Sequence, residues 1–218
     1  MQELIRVAVD AMGGDNAPAE IVKGAVEALK VSTDLKVILV GQEEAVQQEL
    51  SKYQYDASRM EVVNATEIIE MAEPPVQAIR SKKDSSIVVA MKLVKNGEAD
   101  AFVGAGSTGA VLVGGQLIVG RLKGVERPPL APLLPTEKGA SLLIDCGANV
   151  DARPSHLVQF AKMGSIYMEN VMGVKNPRVA IVNIGAEEEK GNALVKETFP
   201  LLKACQDINF IGSIEARD

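Results

Sequence analysis

Residues 5–30 read IRVAVDAMGGDNAPAEIVKGAVEALK, and the order of residue types in this stretch decides the fold class. A Val-rich apolar run, Ile5 to Val9, stops at Asp10 and passes through Gly13 and Gly14. From Ala19 to Lys30 the apolar positions then recur at helical spacing. Pro18 suits the first turn of that helix, with Asp15 or Asn16 as candidate caps. A strand that ends on a polar residue and turns through glycines into a helix opens a β-α-β unit.

The same alternation recurs along the chain. Strands are expected at Lys36 to Val40, Met60 to Asn64, Ala101 to Gly104, Ser141 to Asp145, Arg178 to Ile184 and Asn209 to Ile214. Between them, helical spacing runs over Glu43 to Ser51, Ser85 to Asn96, Thr108 to Leu122, Ser155 to Gly173 and Asn192 to Cys205. Strands rich in Val and Ile that alternate with amphipathic helices predict an α/β fold, a predominantly parallel sheet with helices on both faces. One α/β domain is expected over residues 1–218. The stretch RPPLAPLLP, Arg127 to Pro135, holds four of the ten prolines and reads as an extended crossing between two halves rather than a helix or central strand. Gly109, Gly114, Gly115 and Gly120 within one apolar helix predict close packing of that helix on the sheet.

Composition excludes several classes of function. The net charge is −6, so a smeared attraction to nucleic acid or an anionic bilayer has no support, and no nucleic-acid partner is expected. Cys146 and Cys205 match neither a metal spacing nor a disulfide framework and fit a reducing compartment, so a cytoplasmic location and no metal are expected. No apolar stretch is long enough to span a bilayer. His156 is the only histidine, which removes any mechanism that needs two; beside no Ser or Cys motif, it reads as a satisfied helix residue.

Four motifs follow strand-like runs, where open α/β sheets bind ligands. In the first, Asp10 precedes Gly13 and Gly14, which permit close backbone approach to a ligand or serve simply as a strand-to-helix turn. In the second, Gly104-Ala-Gly106-Ser107-Thr108-Gly109 opens a helix, offering backbone N–H groups and two hydroxyls to an anion; a plain capping turn is the alternative. It is neither a dinucleotide fingerprint nor a Walker loop. In the third, Asp145 precedes Asn149, an amide able to donate to a carbonyl or phosphate oxygen. In the fourth, Gly185 and Gly191 bracket Glu187, Glu188, Glu189 and Lys190, and Lys190 is the only full positive charge within any of the four motifs. Arg80, Lys82 and Lys83 form a short basic cluster, and Arg121, Lys123 and Arg127 another; both read as solvated surface unless a substrate arrives on an acidic carrier.

The stretches VAVDAMGGDNAP, FVGAGSTGA, IVGRLKGVERPPLAPLLPT, IDCGANVDARPSHLVQFAKMGS, NPRVAIVNIGAEEEKGN and INFIGSIEARD, met in order from Val7 onward, resemble the bacterial phosphate acyltransferases of phospholipid synthesis, the PlsX family. Ser107 stands where that family usually has Asn, and Gly104 where it more often has Ser. Its chains continue past Asp218 into a further strand and helices associated with dimerisation and membrane contact, so this chain is expected to be a shortened member. The resemblance implies the isocitrate/isopropylmalate dehydrogenase-like fold and transfer of a long-chain acyl group from acyl carrier protein to inorganic phosphate, with no cofactor. It further implies a homodimer and, in the family, peripheral membrane association through a segment not present here.

On that reading Lys190, Asn149 and Asp10 are the candidate catalytic residues. Gly106, Ser107, Thr108, Gly109, Gly13 and Gly14 are the candidate phosphate and oxyanion binders. Arg80, Lys82, Lys83, Arg121 and Lys123 are the candidate carrier-docking residues. The four motifs are expected to share one cleft. Two other readings stand beside it: a dehydrogenase of the isopropylmalate type, for which a nucleotide fingerprint and clustered aspartates are missing, and a catalytically silent dimerisation or carrier-docking fragment.

Overall fold

A computed structural model describes residues 4–217. The single domain expected over 1–218 divides into two compact units, one running to Arg121 and the other starting at Leu122.

The first unit is a four-stranded parallel sheet in the order β3-β2-β1-β4. Its strands are β1 (Ile5–Asp10), β2 (Leu35–Gly41), β3 (Met60–Asn64) and β4 (Ala101–Val103). The helices are α1 (Ala19–Val31), α2 (Glu43–Leu50), α3 (Pro75–Ser81), α4 (Ser86–Lys95) and α5 (Thr108–Gly114). Strand β2 shows why both faces are covered. Val37 and Leu39 pack with Val22, Val26 and Leu29 of α1 and with Val46 and Leu50 of α2. Ile38 and Val40, one residue out of phase, pack with Ala8, Ala65 and Ala90 on the opposite face. Period-two alternation thus feeds two cores from one strand, as a doubly covered parallel sheet requires. A third buried cluster joins Ile79 of α3, Ile87 and Met91 of α4, and Ala110 of α5.

Several expectations need correction. The helix expected over Thr108 to Leu122 is α-helical only to Gly114 and continues as a π-helical turn over Gly115–Val119. Helix α3 lies in a stretch where no element was expected; its start at Pro75 follows the rule that proline suits the first helical turn. Neither Asp15 nor Asn16 caps α1 with its side chain; the cap residue is Pro18.

The second unit contains β5 (Leu133–Thr136), β6 (Gly139–Leu142), α6 (Pro154–Asn170), β7 (Arg178–Asn183), α7 (Ala193–Ala204) and β8 (Asn209–Glu215). The parallel strand expected at Ser141 to Asp145 is instead the end of an antiparallel hairpin, in which Leu133 pairs with Leu142 and Thr136 with Gly139. Half of that hairpin comes from the proline-rich crossing. Pro135 is tolerated because a two-stranded ribbon consists only of edges, where a missing N–H breaks no interior ladder. Strands β7 and β8 form a separate parallel pair. Beneath it Ala161 of α6, Ile181 of β7, and Phe199 and Leu202 of α7 form a core, with the Phe199 and Phe210 rings edge-on at 5.2 Å. No helix among the described residues is long and apolar enough to cross a membrane.

Candidate functional site

In the first unit β1 lies between β2 and β4, so the connections leaving β1 and β4 turn away to opposite sides of the sheet. This is the topological switch point, and the crevice at the carboxyl ends of the two strands is where such sheets bind ligands. Val9 pairs with Val103, which sends residues 10–18 and 104–107 out of the sheet side by side.

Asp10 sits at the bottom of this crossing, 1% exposed. Its Oδ1 accepts the Met12 N–H at 3.1 Å. Its Oδ2 is the buried side-chain atom without a hydrogen-bond partner among the described residues. The loops close over it through glycine. A Cβ on Gly13 would stand 2.3 Å from Asp10 Oδ2 and 2.9 Å from the Gly106 nitrogen, and one on Gly106 would stand 3.1 Å from Gly13 Cα. Gly13 admits no side chain and Gly106 takes one only if Gly13 gives way, so two backbones approach each other directly over a carboxyl group. Gly14 adds a φ of +104°, which only glycine adopts without strain. Burial pushes the Asp10 carboxyl above the ordinary carboxylate range, opposed by the polarity of the nearby Ser86 hydroxyl and of the Met12 and Gly13 N–H groups. Ser86, buried at the start of α4, carries no motif that sequence reading would single out.

The other residues of the second motif divide by role. Ser107 is buried and its Oγ accepts the Ala110 N–H at 3.3 Å, so it caps α5. Thr108 is exposed. At Gly109 an added Cβ would meet Pro75 Cγ at 2.6 Å, so glycine there serves the packing of α5 on α3.

The third and fourth motifs lie in the second unit. Asp145 is a hub: it accepts the N–H groups of Leu130 at 2.7 Å, Ala148 at 3.3 Å and Asn149 at 2.7 Å, and the Asn149 amide at 3.1 Å. The Asn149 Nδ2 also donates to the Pro128 carbonyl at 3.1 Å, so both its donors hold the loop, and only its oxygen is left to face a ligand. His156 is 6% exposed; its Nδ1 accepts the Arg153 N–H at 3.1 Å and its Nε2 lies 3.1 Å from Glu126, which makes it the satisfied helix histidine that its context predicts. Lys190 is exposed and paired with Glu187 at 3.0 Å. That bond raises the lysine pKa and lowers that of the glutamate, so Lys190 stays a full cation at neutral pH. Gly185 lies beneath it: a Cβ there would meet Lys190 Cδ at 2.6 Å and displace this exposed side chain.

The basic cluster ahead of α4 is less uniform than its sequence. Arg80 is exposed and, with Pro74, Val76, Gln77 and Ser81, lines an open, mostly apolar groove of about 490 Å³. Lys82 is half-buried, bonded to Glu73 and to the Ile68 carbonyl, and Lys83 reaches the Ile79 carbonyl at 3.2 Å. Arg121 ends the first unit and Lys123 lies in the second; both are exposed.

Comparison with known proteins adds a further line. Residues 5–218 match the model of a family described as fatty acid synthesis protein. The phosphate acyltransferase of Clostridium perfringens is 52% identical over 214 residues, which is 98% of this chain and 63% of the relative. That of Desulfitobacterium hafniense is 55% identical, again over 98% and 63%. The chain thus spans less than two thirds of the length of these relatives. Among solved structures, a phosphotransacetylase from Streptococcus pyogenes superposes with a TM-score of 0.72 at 19% identity, over 97% of this chain and 68% of the other. One from Staphylococcus aureus gives 0.67 at 20%, over 97% and 69%. At such identity these two report a shared fold. The family match reaches from the first residue of β1 through both units, and on that extent the chain belongs to the fatty acid synthesis protein family.

Proposed function

We propose that this chain transfers a long-chain acyl group from the thioester of acyl carrier protein to inorganic phosphate, giving an acyl phosphate. The observation that carries the reading is the 52–55% identity, over nearly the whole chain, to proteins named phosphate acyltransferase. The glycine crossing above Asp10 supports it locally, since backbone free of side chains at a strand-end crevice suits a compact anion.

The chemistry asks little of acid–base residues. Phosphate is substantially dianionic near neutrality, judged by a phosphoester second pKa of about 6, so its oxygen needs positioning more than deprotonation. That oxygen attacks the thioester carbonyl carbon, the C–S bond breaks, and the sulfur leaves as a thiolate whose conjugate acid has a reference pKa of about 8.5. What remains is to hold two anions and stabilise the tetrahedral oxyanion. In this proposal the backbone of Gly13, Gly14 and Gly106 and the Thr108 hydroxyl of the first unit hold phosphate; in the second unit Lys190 is the candidate positive charge for the oxyanion, and Asn149, whose amide donors are spent on Pro128 and Asp145, only shapes its own loop. The acidic carrier is met by Arg80 and Lys83, with Arg121 and Lys123. No cofactor enters any of these steps.

The test is the purified chain with an acyl-carrier thioester and phosphate. Thiol release that depends on phosphate, with formation of acyl phosphate, is the expected result. Carrier binding without phosphate-dependent thiol release would replace the enzyme with a docking module, and neither binding nor release would end the reading.

A further inference from the structure

The Asp10 carboxyl is placed awkwardly for a protein that gathers anions. It is 1% exposed, its Oδ2 has no hydrogen-bond donor among the described residues, and Gly13 and Gly106 lie against it. Among the described residues no charged group offsets it: what acts on it is burial, the Ser86 hydroxyl and the N–H groups of Met12 and Gly13, and Asp15 in the same loop is exposed. A carboxylate in that position repels any anion held by the glycines above it, and in a low-dielectric crossing the repulsion is scarcely screened. A proton on the carboxyl removes the repulsion and turns the oxygen that lacks a donor into one that donates.

We infer that the crossing of the 10–18 and 104–107 loops captures a tetrahedral oxyanion together with a proton, which is taken from solvent and held on Asp10. Asp10 is then a positioning residue: it lies under the backbone that holds the anion, and its charge state decides whether that backbone accepts one. The raised affinity of this carboxyl for protons agrees with the geometry. The inference rests on the proposed function only for the identity of the natural anion as phosphate.

Sulfate is the suitable probe, because its own charge stays constant from about pH 5 to 9 and any proton exchanged belongs to the protein. Calorimetric titration of the whole chain with sulfate in two buffers of different ionisation enthalpy measures that exchange. Uptake approaching one proton per sulfate is expected within that range, with affinity falling by up to tenfold per pH unit on the alkaline side. Asp10→Asn, a neutral isostere, is expected to bind sulfate without uptake and without the pH slope. If that variant does not fold, the slope and uptake of the parent chain decide the matter alone. Sulfate bound with neither uptake nor slope, uptake that persists in folded Asp10→Asn, or no sulfate bound at any pH each overturns the inference. The acyl-transfer assay is independent: a chain that takes up a proton with sulfate yet releases no thiol keeps this inference and loses the proposed reaction.

Discussion

Gly13 and Gly24 make opposite cases for the same substitution. A Cβ at Gly13 would overlap Asp10 Oδ2 and crowd the Gly106 nitrogen, neither of which can move without opening the crossing. Gly13→Ala is therefore expected to lower the unfolding free energy by about 1–3 kcal/mol in urea titration. Gly24, exposed in the middle of α1, has nothing within 4 Å of an added Cβ, and Gly24→Ala should raise it by roughly 0.5–1 kcal/mol. Asp10 gives a prediction with a sign in pH. Its pKa is raised on folding, so the folded state binds the proton more tightly than the unfolded one. The cost of burying the charge is absent below the unfolded value of about 3.9, grows as pH rises toward the folded value, and is constant above it. The stability of Asp10→Asn relative to the parent should climb through that window; a difference flat in pH would show that the carboxyl titrates alike in both states. For Lys190, loss of its charge should lower turnover by roughly 10²-fold, the scale of a lost oxyanion donor, with the melting curve unchanged, as steady-state kinetics on Lys190→Ala would show. At this scale the need for glycine in both strand-end loops was legible, but as room for a ligand; that Gly13 and Gly106 approach each other over Asp10 was not. The burial of Asp10 was not, because a carboxylate at a strand end ordinarily faces water. The close packing expected of the glycine-bearing helix is met at Gly109, though against the Pro75 ring of α3 rather than the sheet, a partner only the folded α3 reveals.

Among elements, helix α1 and strand β2 were legible because long periodic patterns leave one solution. Helix α3 was not: seven residues led by two prolines offer barely two turns of periodicity, and only packing with Ile87 and Ala110 completes its apolar face. The β5–β6 hairpin was hidden for a related reason, since a four-residue edge strand containing proline carries almost no strand signal. The π-helical turn at Gly115–Val119 has no sequence signature at all. Helix α3 also changes what the basic cluster can test. Lys82 ties the end of α3 to Glu73 and Ile68, and the bond holds the Glu73 carboxyl below its usual range. Lys82→Glu should lower the denaturation midpoint whether or not a carrier binds, and the penalty should shrink as pH falls through the Glu73 range and the parent loses its pair. Arg80→Glu, on the exposed groove, should leave the midpoint unchanged while weakening carrier binding and flattening its dependence on salt; unchanged affinity and salt slope in Arg80→Glu would remove α3 from the docking surface.

Across the whole molecule, apolar burial is unevenly shared. Three buried clusters hold the first unit and one holds the second among the described residues. Local stability follows such burial, so hydrogen exchange followed by mass spectrometry should find the amides of β2 slower than those of β7; the reverse order would mean that burial is a poor guide to opening here. The charge and class of the protein were readable from composition and alternation, and the proline-rich crossing from Arg127 marked two halves; that the division falls just ahead of it, after Arg121, was not readable, because no linker-like run of polar residues marks the spot. The parallel pair β7–β8 has one further consequence. Val182, Ile184 and Ile211 stand 47%, 78% and 48% exposed beside strand edges with no neighbour among the described residues. In neutral solution the net charge of −6 opposes the indiscriminate association of copies. Near pH 5.0, where that charge vanishes, the same edges become sticky, and a clear concentrated solution should turn cloudy there long before it unfolds.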